Sequence, residues 1–173
     1  MRFGVLPTDF DPLSYVRAGS GQFEGVFYFS SPDGLAAGGL GVAAKATASG
    51  VDRFARVRSI VDEWSIPEAF RVFTGFSFAP DGPTSEPWAS FGSADAVLPI
   101  ATVVRRGDER RLLLSVPPDV DASELMARIG TMRTPPDPPY PNLGAHTLES
   151  CPPVSEWSGA GWGAGRALRG GGL

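Results

Sequence analysis

Gly39-Leu40-Gly41-Val42-Ala43-Ala44 matches the GxGxxA spacing that, in dinucleotide-binding folds, lets a pyrophosphate approach a helix N-terminus. That chemistry needs a Val/Ile-rich strand before the glycines and a helix directly after Gly41. Here a Pro32-Asp33-Gly34 turn comes before, and Thr47, Ser49 and Gly50 interrupt any helix that follows, so nucleotide binding is not the expected role. His146 and Cys151 are the only residues of their types. A zinc site would have to draw both, plus two carboxylates, from a Pro-rich stretch, and a Ser-His-Asp triad would need His146 on a rigid scaffold. The expected reading is a solvated loop histidine. Asp62-Glu63 and Asp119 with Asp121 invite an acid/base reading, but acidic groups at helix ends and in loops are ordinarily solvated or capping. Phe76, Phe78, Trp88 and Phe91 lie in or beside expected strands, where core packing is their default role. No catalytic, cofactor-binding or metal-binding residue is assigned from these patterns.

The elements that would position such groups follow from periodicity. Phe23 to Ser30 reads as a strand with Phe23, Phe27 and Phe29 on one face, ending at the Ser31-Pro32-Asp33-Gly34 turn. Leu35 to Ala46 is a Gly-spaced apolar run suited to a strand passing close to a neighbouring backbone. Phe54, Val57, Val61 and Trp64 recur at helical spacing across Asp52 to Trp64, with Arg53, Arg56 and Asp62 elsewhere around the wheel. Phe70 to Ala79 alternates as a strand before Pro80-Asp81-Gly82-Pro83. Asp95 to Arg106 and Arg110 to Val116 form a hairpin through Gly107-Asp108-Glu109, and Pro99 gives the first run an irregular or edge start. Asp121-Ala122-Ser123-Glu124 resembles a capping box opening a shorter helix with Leu125, Met126 and Ile129 inward and Gly130 as its stop. The expected fold class is α+β, a mainly antiparallel sheet of about six strands with two helices.

The 173 residues suffice for one core. A net charge of −4, a pI near 5 and the lack of clustered Lys, with fourteen Arg and a single Lys, argue against a nucleic-acid or anionic-membrane surface. The longest uncharged small or apolar stretch, Gly34 to Ala44, is too short to span a bilayer, and Met1-Arg2-Phe3-Gly4 opens no signal peptide, so a cytoplasmic location is expected. Seven of 17 prolines fall between Thr134 and Pro153, and seven of 22 glycines in the last fifteen residues. The body is therefore expected to occupy residues 1–132, a Pro-rich linker 133–156, and a Gly-rich tail 157–173.

Phe27-Tyr28-Phe29-Ser30-Ser31-Pro32-Asp33-Gly34, Gly39-Leu40-Gly41-Val42-Ala43 and the Asp52 to Trp64 helix stand in a familiar order. Thr74-Gly75-Phe76-Ser77-Phe78, Trp88-Ala89-Ser90-Phe91 and Ala96-Val97-Leu98-Pro99 follow. Together, over about Asp11 to Ile129, they resemble the amino-terminal part of isochorismate synthase, a chorismate-utilising enzyme. The resemblance implies an incomplete piece of the fold shared with anthranilate, aminodeoxychorismate and salicylate synthases, which generally differ in this portion. It also implies a Mg²⁺-dependent isomerisation in which chorismate loses its C4 hydroxyl while water adds at C2, opening a menaquinone or siderophore branch. A lysine would act as general base, a glutamate as general acid, and further glutamates would hold the metal.

The family carries its lysine in a Lys-Val-Val-Leu-Ala-Arg strand beyond the Pro-rich linker. Lys45 does not match that motif, and neither the strand nor the later glutamate motifs occur in these residues. No catalytic role is inherited, no Mg²⁺ is expected to bind this chain, and chorismate is the partner of the intact enzyme only. From Trp157 the family would continue with a helix, whereas Ser158 to Leu173 is dense in Gly, each costing a helix about 0.8–1 kcal/mol relative to Ala. The expectation is a truncated product or a shifted reading frame, tested by reading the encoding DNA. A piece of a larger enzyme would expose apolar surface and self-associate. The alternative is a non-catalytic binding or interaction module built on the same fold.

Overall fold

In β8 (Glu109–Val116) the apolar side chains alternate with period two, so Leu112, Leu114 and Val116 share one face, and across the hairpin Ala101 and Val103 of β7 (Ala101–Arg106) meet them. The computed structural model describes residues 1–82 and 92–136, which form three helices and eight strands. The remaining elements are β1 (Arg2–Pro7), α1 (Pro12–Gly19), β2 (Val26–Ser30), β3 (Leu35–Leu40), β4 (Ala44–Ala48), α2 (Arg53–Glu63), β5 (Phe73–Phe76), β6 (Ala94–Leu98) and α3 (Ala122–Thr131). Five strands form one sheet in the order β1-β8-β7-β3-β2, three form another in the order β4-β6-β5, and every pairing is antiparallel. This is the expected α+β class, with one more helix and two more strands than the periodicity suggested.

The two sheets share a bent ribbon. β3 and β7 pair as far as Leu40 opposite Ala101, and β4 and β6 resume with Ala44 opposite Leu98. Between them the Ala43 amide donates to the Leu98 carbonyl at 2.8 Å. Gly41 sits at φ +67°, where a side chain is disfavoured, and Pro99 occupies the matching bend in the other strand. Pro99 therefore marks neither an edge nor an irregular start. It is fully buried between two central strands, and the bend removes the need for the N–H it lacks. The runs expected as single strands, Leu35 to Ala46 and Asp95 to Arg106, are each divided at this bend.

Two helices cover one face of the larger sheet. Asp11 caps α1, its Oδ1 accepting from the Leu13 amide at 3.0 Å, with Pro12 in the first turn, and Arg105 pairs with Asp11 Oδ2 at 2.6 Å. Tyr15, Val16 and Ala18 of α1 and Leu125 and Ile129 of α3, with Met132, close over Leu40, Val103, Leu112 and Leu114. α1 comes so close to β3 that a Cβ on Gly38 would fall well inside contact distance of the Pro12 carbonyl oxygen. Asp121 caps α3 by accepting from the Ser123 amide at 2.7 Å. Gly130 is not the stop: the helix runs to Thr131 and ends at buried Met132.

The smaller sheet is lined by alanines, Ala46, Ala48, Ala94 and Ala96, against Val57 of α2, with Ile60, Val61, Trp64 and Val72 around them. The helix lies where its spacing placed it but is rolled. Phe54, expected in the apolar stripe, is half exposed, and Arg53, expected outward, is 6% exposed. The Arg53 guanidinium donates to the carbonyls of Gly50, Ser77 and Phe78 at 3.1–3.4 Å and lies over the Phe54 ring, so satisfied carbonyls compensate a buried cation.

Other expectations also shift. Gly25 at φ +86° stands just before β2 begins at Val26, so Phe23 lies outside that strand and its ring takes the Arg128 guanidinium at 3.9 Å, while Phe29 is exposed. Only Phe73–Phe76 of the Phe70 to Ala79 run is strand; Phe70, in a turn closed on Pro67, packs on Phe3 at 4.9 Å. The hairpin turn is the two-residue Gly107-Asp108, with Arg106 opposite Glu109. Chain contacts define a unit Met1–Pro136. His146, Cys151, Trp88, Phe91, most of the expected linker and the whole tail lie outside the described residues. No helix among the described residues is long and apolar enough to cross a membrane.

Candidate functional site

Ala44-Lys45-Ala46-Thr47-Ala48 alternates small apolar and polar residues, so β4 turns its alanines to α2 and sets Lys45 and Thr47 on the opposite face. Pairing adds Asp95 beside Thr47 and Val97 beside Lys45, with Phe73 beyond Val97 and Gly75 beyond Asp95. This face and the start of β2, from Glu24 to Tyr28, line an open cleft of about 870 Å³. Thr47 Oγ1 donates to Asp95 Oδ1 at 2.7 Å, and Lys45 Nζ lies 3.8 Å from Asp95 Oδ2. The Phe27 and Phe73 rings pack at 5.5 Å to form one wall.

Asp95 is thus fixed by two partners, while the half-exposed Lys45 ammonium keeps donors for the cleft. Such an arrangement can hold a carboxylate of a ring-shaped ligand against aromatic walls. It has no nucleophile paired with a base, and among the described residues no three His, Cys, Asp or Glu side chains are grouped to hold a metal ion. The Lys45–Asp95 contact joins residues fifty positions apart. The sequence expectation did not bring them together; the alternation of residues 44–48 is the signal that could have placed Lys45 and Thr47 on one face.

The residues singled out in the sequence do not converge. Gly39 and Gly41 belong to the bend: a Cβ on Gly39 would sit 2.5 Å from Pro99 Cγ and one on Gly41 3.3 Å from Ile100 Cδ1. β4 follows Gly41 where a nucleotide site would need a helix. Asp62 pairs with Arg58 at 3.9 Å on the surface, Glu63 and Asp119 are exposed, and Asp121 is a cap. Phe76 and Phe78 are not core residues: Phe76 is 64% exposed and Phe78 fully so, because β5 is an edge strand and Phe78 lies beyond its end.

An antiparallel α+β frame of bent, paired sheets around the cleft is that of part of a chorismate-utilising enzyme. Residues 5–135 match the model of the family described as chorismate binding enzyme, and the chain belongs to that family. It is 32% identical over 128 residues to the salicylate biosynthesis isochorismate synthase of Pseudomonas aeruginosa, a match taking in 68% of this chain and 26% of that protein. The solved structure of MenF, the menaquinone-specific isochorismate synthase from Escherichia coli, shares the fold with a TM-score of 0.55 at 21% identity, over 86% of this chain and 32% of that one. The likeness is therefore to isochorismate synthases, and the chain spans about a quarter to a third of the length of these relatives.

Proposed function

We propose that this chain is the amino-terminal share of an isochorismate synthase, which converts chorismate to isochorismate in the cytoplasm for a menaquinone or siderophore branch. It forms a supporting wall whose Lys45 cleft faces the substrate side, and alone it does not turn chorismate over. The observation that carries this reading is the partial coverage of the relatives, combined with a described cleft that holds one lysine and two carboxylates, of which Asp95 is already engaged with Lys45. Mg²⁺ does not fit that site: of the two carboxylates lining it, Asp95 is committed to Lys45 and Thr47, and among the described residues no third acidic, His or Cys side chain joins Asp95 and Glu24. The metal ligands, the general acid and the general base are then supplied by parts of the enzyme that the matched quarter does not include.

The test is complementation. The Pseudomonas relative, deleted of its matching 128 residues, is mixed with this chain, chorismate and Mg²⁺, and isochorismate is measured by chromatography. Product is expected only from the mixture. Product from this chain alone overturns its inactivity, and a mixture that neither associates nor turns over overturns the family role. A second reading, a non-catalytic interaction module, is favoured by exposed Phe29, Phe76 and Phe78. It predicts a defined complex at physiological concentration, whereas the first predicts that the chain alone self-associates in sedimentation.

A further inference from the structure

On the face of the larger sheet turned away from α1 and α3, Leu35, Val104 and Leu113 floor a cavity of about 220 Å³ that shares no residue with the Lys45 cleft. Its rim is cationic. Arg106 and Arg111 rise from β7 and β8, and Arg71 reaches in from the segment between α2 and β5. One carboxylate, Glu109, lines it and is taken up by Arg111, whose Nε donates to Oε1 at 2.8 Å. Arg71 spends only Nη1, on the carbonyls of Glu68 and Phe70 at 2.9 and 3.0 Å. The Arg106 guanidinium makes no hydrogen bond among the described residues and faces one further charge, the exposed Asp33 carboxylate at the β2–β3 turn. In a chain of net charge −4 this gathers three guanidinium groups and one acid over an apolar floor.

The geometry points to a binding site for a small carboxylic acid with an apolar ring, its carboxylate held by Arg106 and Arg71 and its ring on Leu35, Val104 and Leu113. Guanidinium forks match a planar carboxylate, and the shallow volume suits a single ring better than a nucleotide. This inference does not rest on the proposed activity, since the two cavities have separate linings.

The experiment titrates the full 173-residue chain with sodium benzoate, and with benzyl alcohol as a neutral analogue, reading amide shifts by NMR. Benzoate is expected to give saturable shifts centred on Leu35, Val104 and Leu113, and benzyl alcohol none. Arg106→Gln should weaken binding at least about fivefold, Arg106→Lys by less, and Arg56→Gln, an exposed control on α2, should leave it unchanged. Unsaturable or scattered shifts, equal binding of the alcohol, or equal loss in Arg56→Gln and Arg106→Gln would each overturn the site. Arg106 is exposed, so its variants should keep the native spectrum.

Discussion

The two sheets are built from different materials. The larger is packed with Leu, Val, Tyr, Ile and Met under two helices on one face, whereas the smaller is floored by four alanines under one helix and ends in the exposed Phe76 edge. Burial of apolar area scales with side-chain size, so the larger half carries most of the stability. The alanines let α2 lie close, and what that half lacks in buried area it recovers in backbone pairing through the bend and in the three carbonyls gripped by Arg53. One half is an anchor and the other a platform for the cleft.

The contrast can be broken at either end. Leu112→Ala in the anchor should cost about 2–5 kcal/mol in denaturant unfolding. Ala96→Leu in the platform should cost about 1–3 kcal/mol by overpacking against α2. If it costs more than Leu112→Ala, the division of labour is wrong. Amide exchange sharpens the point, since β6 amides should exchange through smaller openings than those of β8. Tyr15→Phe should change stability by less than about 1 kcal/mol or raise it, because the Tyr15 hydroxyl is fully buried without a partner among the described residues and burial already pushes its phenol pKa upward. The smallest effect concerns the β2–β3 turn, where the Ser31 hydroxyl donates to Asp33 and holds its carboxyl below the ordinary value. A lowered folded pKa gives stability that is present above the unfolded value near about 4 and lost as pH falls through the folded one. Carboxyl NMR should show the depressed titration, and Ser31→Ala should move it back up.

Elements with strong local periodicity were legible: α2, the β7–β8 pair, and α3 with its Asp121 cap. β1 and α1 were not read, although Asp11-Pro12 is a helix-opening pair, because Arg2 to Gly19 has no long periodic run and α1 is only eight residues long. The errors at Phe23, Leu35 to Ala46 and Asp95 to Arg106 share one cause. Period-two patterns persist through a bend, and only the positive φ of Gly25 and Gly41 and the placement of Pro99 reveal it. Phe76 and Phe78 misled because hydrophobicity does not say whether a strand is central or at an edge. The cleft was not legible: the strand expectation stopped at Ala46 and left Thr47 outside it, and Asp95 arrives from a strand paired only in three dimensions.

Pairing that stops at Leu40 opposite Ala101 and resumes at Ala44 opposite Leu98 makes the spacing of the few residues between them a parity constraint. Were a single codon lost between Gly41 and Ala44, every side chain of β4 would exchange sides. Lys45 and Thr47 would be driven under α2 and the alanines turned to water. Lineages of this fold should therefore tolerate substitutions at Val42 and Ala43 far more readily than a change in their number.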